Sequence, residues 1–190
     1  MPRKLLNSEL QRLTPQAFQS AHKLPVVLVL DNIRSQHNIG AAFRSADAFC
    51  IERIYLCGIS ATPPTPEIHK SALGAEEIVP WVYMADTTEA VHLLRKEGYT
   101  VLAIEQVEGA TLLHQFDPCA NAKHPFNPAT FTGDPKYALI FGNEVRGIDQ
   151  EVVDMSDGSI EIPQFGTKHS LNVSVSIGVV LWDFWVKLHG

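Results

Sequence analysis

The sequence predicts an α/β fold with a mostly parallel sheet flanked by helices. Three observations predict it. Short runs of consecutive apolar residues recur, led by Val26-Val27-Leu28-Val29-Leu30, and such runs mark strands buried on both faces. Segments with apolar residues at helical spacing alternate with these runs. Polar, glycine-bearing loops follow three of them, at 31–44, 141–147 and 162–173, where an open parallel sheet places its ligand site.

The elements follow in order. Residues 3–22 are polar, with Leu5, Leu6, Leu10, Leu13 and Phe18 at roughly helical spacing, which predicts one or two short helices. Pro25 introduces the first strand, at 26–30. The polar stretch 31–37 reads as a loop. Asn38 reads as the N-cap of a helix carrying Ile39, Ala42, Phe43, Ala46 and Phe49 on one face. A second strand is expected at 53–57. Thr62-Pro63-Pro64-Thr65-Pro66 is a stiff loop whose last proline opens a short helix through Ala72. Residues 78–83 form a third apolar segment. Thr87 caps a helix that Gly98 stops. Strands are expected at 101–104, 138–141 and 158–162. Between the first two of these, residues 107–135 carry proline and glycine with little periodicity and read as a long loop. In the closing segment, 170–189, Leu171, Val173, Val175 and Ile177 alternate like a strand. Leu171, Val175, Val179, Trp182 and Val186 also make a helical face, and a length of about 20 residues decides for a helix. Ser170, Ser174 and Gly178 would then form a small-residue stripe open to close backbone approach.

Composition narrows the class. A chain of 190 residues, 45% hydrophobic and 19% charged, reads as one globular domain. Residues 1–24 form a short N-terminal helical extension and 25–190 the main domain. The net charge of −6 excludes a protein that coats phosphates with a broadly basic surface, but not a local basic patch. Cys50, Cys57 and Cys119 are odd in number and fit neither a disulfide framework nor a zinc knuckle, so they read as buried thiols in a reducing compartment. The first residues, Met-Pro-Arg-Lys-Leu-Leu, are followed by Asn7, Ser8 and Glu9, so no signal peptide is expected. No apolar stretch approaches the ~18 residues of a membrane helix. The expected location is the cytoplasm. No GxGxxG, P-loop, HExxH or GxSxG is present. The eight histidines are scattered, with only His37, His69 and His169 near the polar loops, and no metal is expected.

Within the loops a few polar residues stand out. Arg44 lies one turn from Gly40, Ala41 and Ala48, small neighbours that leave a clearing around its guanidinium. Taken alone, Arg44 could pair with Asp47 or Glu52 as an ordinary surface arginine. Glu144 could be a turn carboxylate, and Ser170 with Asn172 a helix cap and its neighbour.

Taken together, the loops resemble the three motifs of the SpoU/TrmH family of SPOUT-class RNA 2′-O-methyltransferases. The resemblance rests on Asn38-Ile39-Gly40-Ala41-Ala42-Phe43-Arg44-Ser45, on Ile140-Phe141-Gly142-Asn143-Glu144-Val145-Arg146-Gly147, and on Ile162-Pro163-Gln164 with Ser170-Leu171-Asn172-Val173-Ser174-Val175. Ala103-Ile104-Glu105-Gln106 also looks like the family's fourth-strand signature. The resemblance runs from about residue 26 to the C-terminus. It implies a C-terminal deep trefoil knot (the SPOUT fold), a homodimer and S-adenosylmethionine as cofactor, with S-adenosylhomocysteine as product and no metal. The implied cofactor-binding residues are Ile104, Gly142, Asn143, Gly147, Ile162, Ser170 and Leu171. The implied catalytic set is Arg44, Asn38, Glu144, Ser170 and Asn172. The implied reaction moves a methyl group to a ribose 2′-hydroxyl.

The family reading lets Arg44 engage that hydroxyl, even as a base. With an arginine pKa of about 12.5–13.8, deprotonation at pH 7 costs roughly 7–9 kcal/mol, and a nearby phosphate raises the cost. Arg44 is therefore expected to hold a phosphate or the developing alkoxide while Glu144, another acceptor or water takes the proton. Relatives often carry an extra RNA-binding domain, whereas here about 25 residues precede the first strand. RNA contact then falls to a local patch of Arg34, Arg44, Arg146, Lys168 and His169, with Lys70 nearby, extended by the second subunit. The third loop and the fourth-strand signature look closest to members that methylate tRNA guanosines, which places tRNA ahead of rRNA. A non-catalytic knotted RNA-binding relative and a nucleotide-binding α/β protein without an RNA role are the other readings. No membrane partner is expected.

Overall fold

A computed structural model describes residues 2–10, 12–119 and 135–189 of the chain. Seven strands form one sheet: β1 (Leu24–Asp31), β2 (Ile51–Cys57), β3 (Trp81–Met84), β4 (Thr100–Ile104), β5 (Thr111–Leu112), β6 (Tyr137–Phe141) and β7 (Gly158–Glu161). Their order is β3-β2-β1-β6-β4-β7-β5, and every pair is parallel. The helices are α1 (Pro15–Ser20), α2 (Gln36–Ala48), α3 (Pro66–Ala72), α4 (Thr87–Lys96), α5 (Gln150–Met155) and α6 (Val173–His189).

The run of apolar residues in β1 has the cause the sequence implies, since all eight of its residues are buried. Val26, Leu28 and Leu30 point into a layer shared with α2, α3 and α6. Val27 and Val29 point into the opposite layer, under α4 and α5. On the first side Phe184 of α6 packs against Phe116 and Tyr137, with ring centres 5.6 and 5.3 Å away. Truncating a buried phenylalanine of this kind to alanine costs about 3–5 kcal/mol.

Several boundaries differ from the sequence reading, each for a local reason. Ser35, not Asn38, caps α2, because the Ser35 hydroxyl accepts from the Asn38 N–H at 3.3 Å. That frees the Asn38 side chain for the site described below. Asp86, not Thr87, caps α4; Thr87 is buried and donates to Asp31 at 2.5 Å. The third strand begins at Trp81, after a 3₁₀ turn at Ala75–Glu77. The stretch read as a loop from 107 contains β5 and a 3₁₀ turn at Leu113–Gln115, while its residues 120–134 lie outside the described ones. The closing helix starts at Val173, so Ser170 is outside it and Asn172 caps it instead. A side chain at Gly178 would meet no atom within 4 Å, so the small-residue stripe makes no close contact with the described residues.

The apolar face read from Leu171, Val175, Val179, Trp182 and Val186 is the exposed one, with Val175 50% and Trp182 57% accessible. The face against the sheet is Val173, Ile177, Val180, Leu181 and Phe184. Of the cysteines, Cys57 is buried, Cys50 half-buried and Cys119 exposed. Burial pushes the Cys57 thiol up to about 12, which leaves it unreactive. No helix of the described residues is long and apolar enough to cross a membrane.

Candidate active site

The loop after β6 is tied into a tight turn. The Asn143 N–H donates to the Gly147 carbonyl at 3.0 Å, and the Gly147 N–H returns to Asn143 at 2.9 Å. The Asn143 side chain fills this turn. Its Oδ1 accepts from the N–H groups of Val145 (2.9 Å) and Arg146 (3.2 Å). Its amide nitrogen donates to the Asn32 carbonyl at 2.8 Å, fastening the turn to the end of β1. The glycines have separate reasons. A Cβ on Gly142 would collide with the backbone of Gly147 and Ile148. Gly147 sits at φ +72°, where a side chain is strained, and a Cβ there would strike the Glu105 carboxylate.

The turn presents Glu144 to the start of α2. Its carboxylate accepts from the Arg34 and Ser35 N–H groups at 3.3 and 3.2 Å and from the Asn38 amide at 3.0 Å. Burial raises the Glu144 pKa, but the Asn38 amide and the backbone N–H groups outweigh it and leave the carboxyl below its ordinary value. The Asn38 oxygen accepts from the Asn172 amide at 3.2 Å. The Asn172 oxygen accepts from the Ser174 N–H and hydroxyl. Glu144, Asn38 and Asn172 thus form one chain of hydrogen bonds across all three sequence motifs.

Beside this chain lies a cavity of about 500 Å³. All seven residues expected to hold a cofactor line it: Ile104, Gly142, Asn143, Gly147, Ile162, Ser170 and Leu171. The donor set suits S-adenosylmethionine, a zwitterion with a flat aromatic end. Ile104, Ile162, Leu171 and Val173 supply apolar walls, Glu105 and Glu144 supply carboxylates, and the volume lies within the ~300–1,000 Å³ of small-molecule pockets. Asn143 lines the cavity while its side chain is spent on its own loop and on Asn32.

The basic patch is only partly assembled. Arg146 and His169 line the cavity, and Arg34 lines a second one next to it. Lys168 is exposed outside both. Arg44 is exposed on α2, six residues beyond Asn38, and neither cavity includes it. It pairs with neither Asp47 nor Glu52 and makes no hydrogen bond to any described residue. Ser170 likewise makes no such bond.

Glu105 is the residue that sequence reasoning passed over. Its Oε2 accepts from the Ile148 N–H at 3.1 Å and its Oε1 from the Gln106 N–H at 2.9 Å, which braces the far side of the tight turn. The available signal was a carboxylate at the carboxyl end of a strand, inside a motif already singled out. Away from the site, His69, Glu76 and Glu77 bring one potential ligand atom each within 4.8 Å of the others. His69 Nδ1 and Glu76 Oε1 already pair at 2.6 Å, tying α3 to the following 3₁₀ turn.

A parallel sheet whose carboxyl edge carries three polar loops around one cavity defines an open α/β protein with its ligand site in that crevice. The chain belongs to the SpoU rRNA Methylase family, whose profile matches residues 25–182. It is 31% identical over 158 residues to the 23S rRNA (guanosine-2′-O-)-methyltransferase RlmB of Coxiella burnetii, covering 83% of this chain and 57% of that one. It is 29% identical over 161 residues to the tRNA (guanosine(18)-2′-O)-methyltransferase of Thermus thermophilus, covering 83% of this chain and 73% of that one. The chain spans less than two thirds of the RlmB relatives' length. The fold is shared with the AdoMet-bound rRNA methyltransferase of Sinorhizobium meliloti at a TM-score of 0.73, with 24% identity over 88% of this chain and 61% of that one. It is also shared with the A. aeolicus TrmH/SpoU tRNA modifying enzyme at 0.71, with 21% identity over 87% and 76%.

Proposed function

We propose that this protein is an S-adenosylmethionine-dependent RNA methyltransferase acting on a ribose 2′-hydroxyl of a guanosine, with residues 25–190 as the catalytic domain and 1–24 as an extension. The single observation that carries the reading is the Glu144–Asn38–Asn172 chain beside a cavity lined by all seven expected cofactor residues. Guanosine is the nucleoside named for both the RlmB and the Thermus relatives. tRNA remains the first RNA to test and rRNA the second. A cytoplasmic location belongs to the same proposal.

When bound, S-adenosylmethionine supplies an electrophilic methyl: the ribose oxygen bonds to it as the carbon–sulfur bond breaks, and the electron pair stays on sulfur in S-adenosylhomocysteine. The chain's own residues set the geometry. Glu144 stays ionised, holding Asn38 and the start of α2 rather than acting as a strong base, because its hydrogen bonds stabilise the anion. Asn38 and Asn172 orient the ribose, and Ser170 meets the cofactor. Arg44 holds a substrate phosphate or the developing alkoxide from the exposed side of α2, and the proton leaves to water. Arg34, Arg146, Lys168 and His169 complete the RNA patch.

A knotted C-terminus and a homodimer belong to the same proposal. The dimer is supported by the exposed apolar face of α6, where Trp182 and Trp185 stack at 5.4 Å between ring centres. The test is methyl transfer from labelled S-adenosylmethionine to unmodified tRNA and rRNA transcripts, with digestion and mass spectrometry of the labelled nucleoside. Label on 2′-O-methylguanosine that disappears in Arg44→Ala is the expected result. Label on a base, or no label with cofactor binding intact, overturns the ribose assignment or the enzymatic reading respectively.

A further inference from the structure

Next to the cofactor cavity lies a second cavity of about 700 Å³, and Asn143, Val145, Arg146 and Gly147 line both. The lining of the second cavity divides into committed and uncommitted groups. Asp31 and Asn32 are committed. Asp31 accepts from Thr87 and from the Asn32 amide at 2.9 Å, and Asn32 Oδ1 accepts from the Ile59 N–H at 3.1 Å. The uncommitted groups are Arg34, Arg146 and Asp149. Neither arginine side chain bonds to any described residue. Asp149 is the N-cap residue of α5 and its backbone N–H reaches the Asp31 carboxylate, but its own carboxylate makes no cap bond. The lining also holds two apolar side chains exposed to solvent, Ile59 at 66% and Val145 at 80% exposure.

We infer that this second cavity receives the guanine base of the nucleotide whose ribose faces the cofactor, with the Asp149 carboxylate accepting from the guanine N1–H and N2–H. A carboxylate offers two parallel acceptors, and among the four RNA bases only guanine presents two adjacent donors on its Watson–Crick edge. Ile59 and Val145 cover the faces of the base, as apolar side chains do for unstacked RNA bases. Arg34 and Arg146 take the flanking phosphates. The inference rests on the methyltransferase reading for the placing of the ribose. Base recognition can nevertheless be measured without turnover.

The experiment is an NMR titration of the full chain with GMP, IMP and AMP. Inosine keeps N1–H and lacks the N2 amine. Wild type is expected to bind GMP at least about tenfold more tightly than AMP, with IMP between them. Asp149→Asn is expected to bring GMP down to the AMP level while leaving S-adenosylmethionine affinity, measured by calorimetry, unchanged. Equal binding of the three nucleotides, or a guanine preference that survives Asp149→Asn, overturns the inference. On RNA, Asp149→Asn is expected to spread label from guanosine to other nucleosides. Label confined to guanosine in that variant also overturns it. If no RNA is methylated while GMP preference depends on Asp149, the enzymatic reading fails and the base pocket stands.

Discussion

The two loops that frame the cofactor cavity are held in opposite ways. The 142–147 turn is clamped on three sides by its own Asn143, by the Asn32 carbonyl and by Glu105. The segment 163–171 contributes Gln164, His169, Ser170 and Leu171 to the same cavity, yet makes no hydrogen bond to any described residue. Residues 165–171 are exposed, and Pro163 and Gln164 half-buried. One wall of the cavity is therefore built before any ligand arrives, and the other is free to settle on the ligand. Preorganisation of the first wall fixes the geometry of transfer, and the looseness of the second lets the cofactor enter.

The harshest way to break the contrast is to loosen the rigid wall. Gly142→Ala forces the Gly147–Ile148 backbone away. Cofactor affinity and methyl transfer should each fall about 100-fold or more, the scale of a displacement of roughly 1 Å at a reacting centre. Calorimetry and a single-turnover assay check this. Asn143→Ala should do less. It strips the turn of three hydrogen bonds and leaves the Asn32 carbonyl unpaired, at about 1–3 kcal/mol. Cofactor affinity should weaken by about 5- to 150-fold if the whole cost reaches the cavity. Values unchanged from wild type would mean that the turn holds itself by its backbone bridge alone.

Hydrogen exchange sharpens the contrast without a mutation. In the free protein the amides of 143–148 should exchange slowly and those of 163–171 fast. Saturating S-adenosylmethionine should slow the second set about tenfold or more and barely change the first. Equal protection of both loops in the free protein would remove the distinction.

The smallest effect concerns Glu144. Its folded pKa lies below the ordinary value, so its stabilising contribution is present above the ordinary carboxylate range and lost as pH falls through the folded value. Glu144→Gln should lower Tm slightly at neutral pH. The gap to wild type should close as the solution is acidified below about pH 4.3. A rate profile with pH unaltered by Glu144→Gln would confirm that this carboxylate is not the proton acceptor.

Much of this was legible in the sequence, and the exceptions have physical causes. A strand buried on both faces leaves little but an apolar run, so β1 and β6 could be read directly. The cavity residues were legible because three motifs each follow a strand. The cap of α2 was not. Ser35, Gln36, His37 and Asn38 are all polar, and only the folded chain shows that Glu144 claims the Asn38 amide and leaves the cap to Ser35. The orientation of α6 was hidden because the helix is apolar almost all round. Val175 and Val179 read as core as readily as Ile177 and Val180. β5 has two residues and no pattern to find. Nothing in a sequence tells whether an amide faces a ligand or closes its own turn, so the part the Asn143 side chain plays within its own loop could not be read.

The place of β6 in the sheet has a consequence for the protein's birth. β6 lies between β1 and β4, both of which precede it in the chain. As the polypeptide leaves the ribosome, the inner edges of β1 and β4 emerge with their hydrogen-bonding groups unmatched. They stay so until residues 137–141 have been synthesised and have slipped between them. Such open, apolar strand edges invite pairing with other nascent chains. The central strand that joins the two halves of the sheet is thus also its timekeeper, and the chain made before it carries open strand edges until it arrives.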